Sequence, residues 1–105
     1  MEIVVRREKT RVVMEIKGRI DTKTEPEFTE TALKLLEDGT RELWLDLAEV
    51  VYLSSIGLRG LFIIARASKA KKIPVLICRS GRMVRDTLEM SGYDSFFEMR
   101  NGLEV

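Results

Sequence analysis

Two adjacent hydroxyls, Ser54 and Ser55, stand where the apolar run of VVYLSSIGLRGLF (positions 50–62) gives way to helical spacing. Serine at such a joint has an ordinary use. Its side chain accepts a hydrogen bond from a backbone N–H of the first helical turn, worth about 1 kcal/mol over alanine. With Leu58 as the third helical residue, Ser55 is the expected cap. A helix N-terminus is also a prepared anion site. A phosphate on either serine would add about −1.5 to −2 charges at neutral pH, which the helix dipole would tolerate. A partner docked over the loop would have to desolvate that charge. The two uses are compatible: one serine can cap while either is modified.

Little else in the chain could do covalent chemistry. There is no histidine, which excludes a Ser-His-Asp triad, a Cys-His pair and any histidine-ligated metal. The single cysteine, Cys78, can form neither an internal disulfide nor a zinc site, and it fits a reducing, cytoplasmic setting. No cofactor is expected. The 105 residues carry 18 basic and 17 acidic side chains, a net charge of +1. Such a balance gives no overall pull toward nucleic acid or an anionic membrane. No signal peptide and no membrane span is expected, because no apolar run approaches about 20 residues.

The elements that must position the serines follow from periodicity. EIVVRRE (2–8) and RVVMEIKG (11–18) read as strands of an antiparallel hairpin. A helix is expected over 25–37: Thr24 and Glu27 have capping-box spacing, Pro26 suits the first turn, and Asp38-Gly39 supplies the stop. Its apolar stripe is Phe28, Ala32, Leu35 and Leu36. RELWLDLAEV (41–50) is a strand with Leu43, Leu45 and Leu47 on one face and Trp44, read as core, on the other. After the serines, Leu58, Leu61, Phe62, Ala65 and Ser68 follow helical spacing, and the basic end at 68–72 complements the dipole. IPVLIC (73–78) reads as a strand covered on both faces, with Cys78 in the core. Ser80 is the expected cap of a helix over 81–91, with Met83, Val84, Leu88 and Met90 inward and Gly92 as the stop. The five methionines are expected to fill core, and SFFEMR (95–100) closes the chain as a short strand. The β-β-α-β-α-β-α-β order implies one α/β domain over 1–105, with a mixed, mostly parallel sheet of about four or five strands.

In such sheets, sites gather beyond the carboxyl ends of the parallel strands. The serine loop and GRIDTKTE (18–25) both lie there and can form one surface. Candidate partner-binding residues are Asp21, Thr22, Ser54, Ser55, Ile56, Gly57 and Arg59. Some have a plainer explanation: Asp21 and Thr22 can bond their own turn, and Arg59 can face solvent. Gly57 is expected to resist large side chains if the loop approaches a partner closely. Asp46 and Glu49 read as a solvated strand position and a turn.

LWLDLAEVVYLSSIGLRGLF, followed by AKKIPVLICRSGRMVRDTLEMSGYDSFFEM, resembles the STAS family, whose single-domain bacterial members are anti-sigma factor antagonists. GRID (18–21) falls at the family's G-x-[IL]-D turn, and LDL precedes the serine loop at the family's distance. The resemblance implies a partner switch. The unmodified antagonist binds an anti-sigma factor that is also a serine kinase of the GHKL ATPase type, and so frees a sigma factor. Phosphorylation of a serine at this helix start breaks the complex, and a serine phosphatase resets it. The sequence departs from the family at the decisive place. The common motif is D-S-S-G with the second serine as acceptor; aligned on Gly57, that position is Ile56. Ser55, nearest the expected helix start, is then the first candidate acceptor and Ser54 the second. The third possibility is a constitutive binder that is never phosphorylated.

Two other functions compete with this regulatory, non-enzymatic one. An anion- or nucleotide-binding domain would use the same helix N-terminus, but no G-x-x-x-x-G-K-[ST] or G-x-G-x-x-G loop is present. A subunit of a larger assembly, such as a lipid-transport complex, is the third reading.

Overall fold

A computed structural model describes residues 1–104. Five strands, β1 (Glu2–Arg7), β2 (Val12–Ile20), β3 (Leu43–Leu53), β4 (Val75–Cys78) and β5 (Glu98–Arg100), form one sheet in the order β1-β2-β3-β4-β5. β1 pairs antiparallel with β2, and all later pairs are parallel. The crossovers are the helices α1 (Glu25–Glu37), α2 (Ser55–Lys71) and α3 (Arg82–Ser91), and a 3-10 turn, Tyr93–Phe96, precedes β5. The expected order is met throughout, with the last strand shorter than 95–100.

All three helices lie on one face of the sheet. Met14, Ile16, Leu45, Leu47 and Ile77 meet Phe28, Ala32 and Leu36 of α1, Leu61 and Ile64 of α2, and Val84 and Leu88 of α3. Burial of these side chains at roughly 25 cal/mol per Å² is the main source of stability. The opposite face has no helix. There a row of Val13, Trp44 and Leu76 runs across three strands with Cys78 beside it and Leu103 against it. Trp44 is core, as expected, but arginines cover it. The guanidinium of Arg11 lies 4.4 Å and that of Arg100 5.4 Å from its ring centre, while its Nε1–H donates to Glu42 at 2.9 Å. Arg100 shields the apolar row while keeping its charge toward water, whereas Arg11 is itself buried and ion-paired to Glu8. β4 is therefore buried on both faces without being a helix-covered strand on both.

Several expectations fail here. Asp46 is not a solvated strand position: it is fully buried, and Arg79 Nη2 donates to its Oδ2 at 2.5 Å and Nε to its Oδ1 at 3.2 Å. Beside it, burial and the Asp46 carboxylate push the Cys78 thiol up to about 11. Thr24 and Glu27 form no capping box. The Thr24 hydroxyl instead donates to the Arg19 carbonyl at 2.7 Å and accepts from Asp21 N–H at 2.9 Å. Ser80 does not cap α3; Gly81 holds the cap position without a side-chain bond, and Ser80 Oγ is buried without a partner. The methionines are largely outside the core: Met14 is buried, but Met83 is 59% and Met90 89% exposed. On α2 the inward residues are Gly57, Gly60, Leu61 and Ile64, while Phe62 of the expected stripe is exposed and stacks with Tyr93 and Phe96.

Removal of the Arg79 side chain leaves the Asp46 carboxylate buried and unpaired. Arg79→Ala is expected to cost about 3 kcal/mol of unfolding free energy, measured by urea denaturation. A loss below about 1 kcal/mol, the range of an exposed ion pair, would show that the pair does not hold β3 to β4.

Candidate functional site

The carboxyl ends of β2 and β3 are neighbours, with Arg19 opposite Tyr52 and Ile20 opposite Leu53. From there β2 turns into the Asp21–Thr24 loop and β3 into α2. Ser54 joins the two: its N–H donates to the Ile20 carbonyl at 3.0 Å. Its side chain accepts from Gly57 N–H at 3.1 Å, and its own carbonyl receives the first helical bond, from Leu58 N–H at 2.9 Å. Ser54 is therefore the N-cap and Ser55 the first helical residue, a shift of one from the expected cap. The expectation missed because serine suits both positions, and the strand end that chooses between them is contributed by β2.

Gly57 is where the helix touches the sheet. A Cβ there would lie 2.6 Å from Leu53 Cδ1 and 2.8 Å from the Ile20 carbonyl oxygen. The close approach expected of Gly57 is thus made to this chain's own backbone. Gly60, one turn on, meets α1 in the same way, with Thr29 Oγ1 2.5 Å from where a Cβ would sit. Two small residues three apart let α2 sink between β2 and α1.

The Asp21 loop is self-satisfied. Asp21 Oδ1 accepts from the N–H groups of Lys23 at 3.0 Å and Thr24 at 3.3 Å, and Arg19 Nε lies 3.5 Å from Oδ2. Partial burial works to raise the Asp21 carboxyl, but these hydrogen bonds outweigh it and hold the group below the usual carboxylate range. Asp21 is thus the turn former of the plainer reading, and its carboxylate keeps its charge. Thr22 at the loop tip is exposed.

Ser55 and Arg59 are exposed, Ile56 is half-buried, and all seven predicted site residues fall on the two adjoining segments. Ser55 and Arg59 are four residues apart and so share a helix face. No acidic side chain lies in the first turn of α2, so the helix dipole there is not offset. Sequence reasoning missed Val51 and Tyr52, which extend this surface with 58% and 39% exposure. The Tyr52 ring carries the Arg19 guanidinium 4.2 Å from its centre. The strand's alternation was the available signal, but it breaks here at an irregular register between β2 and β3.

The fold and this surface define a small α/β domain that presents a serine-capped helix beside the hydrogen-bonded Asp21 turn. The STAS domain model matches residues 2–105, and the chain belongs to the STAS domain family. It is 30% identical over 94 residues to the anti-sigma-B factor antagonist of Staphylococcus aureus, covering 88% of this chain and 85% of that protein. It is 31% identical over 70 residues to BtrV of Bordetella bronchiseptica, a match spanning 67% of this chain and 60% of that protein. Among solved structures, an anti-sigma factor antagonist from Mycobacterium paratuberculosis aligns with a TM-score of 0.82 at 24% identity, over 97% of this chain and 86% of that one. The unphosphorylated form of SpoIIAA aligns with a TM-score of 0.80 at 12% identity, over 95% and 89%. Both confirm the fold. Among the described residues, no helix is long and apolar enough to cross a membrane.

The two serines are expected to differ in stability terms. Ser54→Ala loses the cap and should cost about 1 kcal/mol, whereas Ser55→Ala should be nearly neutral in thermal and urea melts. Equal costs would refute the assignment of the cap. Gly57→Ala forces α2 away from Ile20 and should cost about 1–3 kcal/mol, the range of overpacked core sites, despite alanine's higher helix propensity.

Proposed function

We propose that this chain is an anti-sigma factor antagonist, acting as one domain in the cytoplasm, that binds an anti-sigma factor through the surface around Ser55. The observation that carries the reading is the division of labour between the two serines. Ser54 Oγ is committed to Gly57 N–H, while Ser55 is exposed on the first turn with no structural duty given to its hydroxyl. A serine free of capping can be altered without loosening the helix it stands on. The name borne by the Staphylococcus relative supports the same class of function.

In this reading the anti-sigma factor is a serine kinase of the GHKL ATPase type. The unmodified antagonist docks its Asp21 loop, Tyr52 and the first turn of α2 on that partner, and the sigma factor is released. The kinase then moves the γ-phosphoryl group of ATP to Ser55 Oγ; the hydroxyl proton is lost and ADP departs. The added charge of about −1.5 to −2 is accommodated inside this chain by the α2 dipole and by Arg59 on the same face. Across the interface it must be desolvated or repelled, and the complex dissociates. A serine phosphatase restores the hydroxyl. Ile56, at the usual acceptor position of the family, contributes apolar contact. A constitutive binder, in which neither serine is modified, is the alternative favoured by that same isoleucine.

Ser55→Asp is expected to weaken binding to the anti-sigma factor by about tenfold or more, equivalent to about 1.4 kcal/mol, with an unchanged melt. Ser55→Ala should bind as wild type and take up no phosphate from ATP, read by calorimetry and peptide mass spectrometry. Equal affinities for wild type and Ser55→Asp would remove Ser55 from the switch. Stable binding with no phosphate on either serine would establish the constitutive form.

A further inference from the structure

The two edges of the sheet are unlike. β5 has three residues, whereas β1 has six, and β1 runs along β2 in a register without a bulge. No described strand pairs with the outer side of β1. Neither proline nor glycine interrupts it. An uncovered strand of this kind is a template for another strand.

The hairpin fixes which backbone groups that edge offers. Glu8 N–H donates to the Arg11 carbonyl at 2.8 Å. Bonded and non-bonded pairs alternate along an antiparallel ladder. Arg6 and Val4 therefore bond inward, to Val13 and Glu15, and the N–H and C=O groups of Ile3, Val5 and Arg7 point away from the sheet. The side chains alternate as well. Ile3 and Val5 lie opposite Ile16 and Met14 on the helical face, where Ile3 packs on the core and Val5 is 37% exposed. Glu2, Val4 and Arg6 lie on the open face.

The strand that fits this edge is β1 of a second copy. Two copies paired antiparallel about a twofold axis must set outward-facing residues against each other, which leaves few registers. Centred on Arg6, the pairing puts Arg6 against Arg6. Centred on Val5, it puts Glu2 against Glu8. Like charges directly opposite are destabilising. Centred on Ile3, it uses only the first half of β1. Centred on Val4, it puts Val4 against Val4, Ile3 against Val5 and Glu2 against Arg6. There β-branched side chains meet, and every charged pair is of opposite sign. Arg6 already lies 3.7 Å from Glu15 of its own chain, and in this register it stands between that carboxylate and the partner's Glu2.

We propose that β1 is a homodimer edge, through which two copies join antiparallel about Val4 into one continuous sheet with all helices on one face. Ile3 and Val5 then carry the helical-face core across the seam. The seam is short, so the dimer is reversible and forms as concentration rises. The proposal rests on the edge alone and not on the anti-sigma factor reading.

The test is sedimentation of the full chain over a concentration series, with amide hydrogen exchange at both ends of the series. A monomer–dimer equilibrium is expected. Exchange at Ile3, Val5 and Arg7 should slow with concentration, and far less change is expected at Val4 and Arg6, which are bonded within the hairpin. Val5→Pro removes an N–H that only the dimer uses, at an edge position where proline is tolerated, and should sediment as a monomer throughout. Glu2→Arg faces the partner's Arg6 on both sides of the axis and should weaken association about tenfold, or about 1.4 kcal/mol. A monomer at all concentrations, with Ile3 and Val5 exchanging freely, would overturn the proposal. So would a dimer that survives Val5→Pro, or one whose protection falls on β5 or around the exposed Phe62 and Phe96 instead.

Discussion

The contact between Gly57 and the Ile20 carbonyl fixes the rest of the site. A helix normally stands off a sheet by the length of its side chains, but here backbone meets backbone. That approach brings Ser54 N–H onto Ile20 and leaves the first turn of α2 level with the Asp21 loop. The loop in turn is held by bonds among Arg19, Asp21 and Thr24 rather than by a partner. The result is a surface whose backbone is set before anything binds, so that little ordering entropy is lost on association.

The sheet divides the molecule into two unlike halves. On the helical side, stability comes from apolar burial. On the open side it depends on arginines, with Arg79 neutralising the buried Asp46 and also lying 3.9 Å from Glu15, and Arg11 and Arg100 covering Trp44. A buried carboxylate is tolerable only while its partner stays in place. Arg79 reaches Asp46 from a backbone φ of +57°, a conformation unusual for a residue with a side chain. The ion pair and the tight turn after β4 are therefore one feature.

Most of the fold was legible in the sequence because it rests on local signals. The α1 boundaries 25–37, the Asp38-Gly39 stop and the Gly92 stop, with φ +79°, are set by nearby residues. What failed depended on groups outside each element's own pattern. Thr24 had a good capping spacing, but the Arg19 carbonyl competed for its hydroxyl. The serine pair was found at the right joint, yet the choice of Ser54 as cap was made by Ile20 from another strand. Asp46 looked solvated because its partner Arg79 is 33 residues away. Met83 and Met90 match the helical period but face outward, since periodicity gives the spacing of a stripe and not the side on which the sheet lies.

The sheet's spatial order repeats its order in the chain. No strand has to be threaded between two already paired, so each new segment can add to a growing edge as it leaves the ribosome. Assembly of this kind keeps loop closures short and favours rapid folding. It also means that an edge is exposed at every stage. The final edge, β5, is only three residues long and bears Glu98 and Arg100. So short and charged an edge gives a foreign strand little to extend on that side of the sheet.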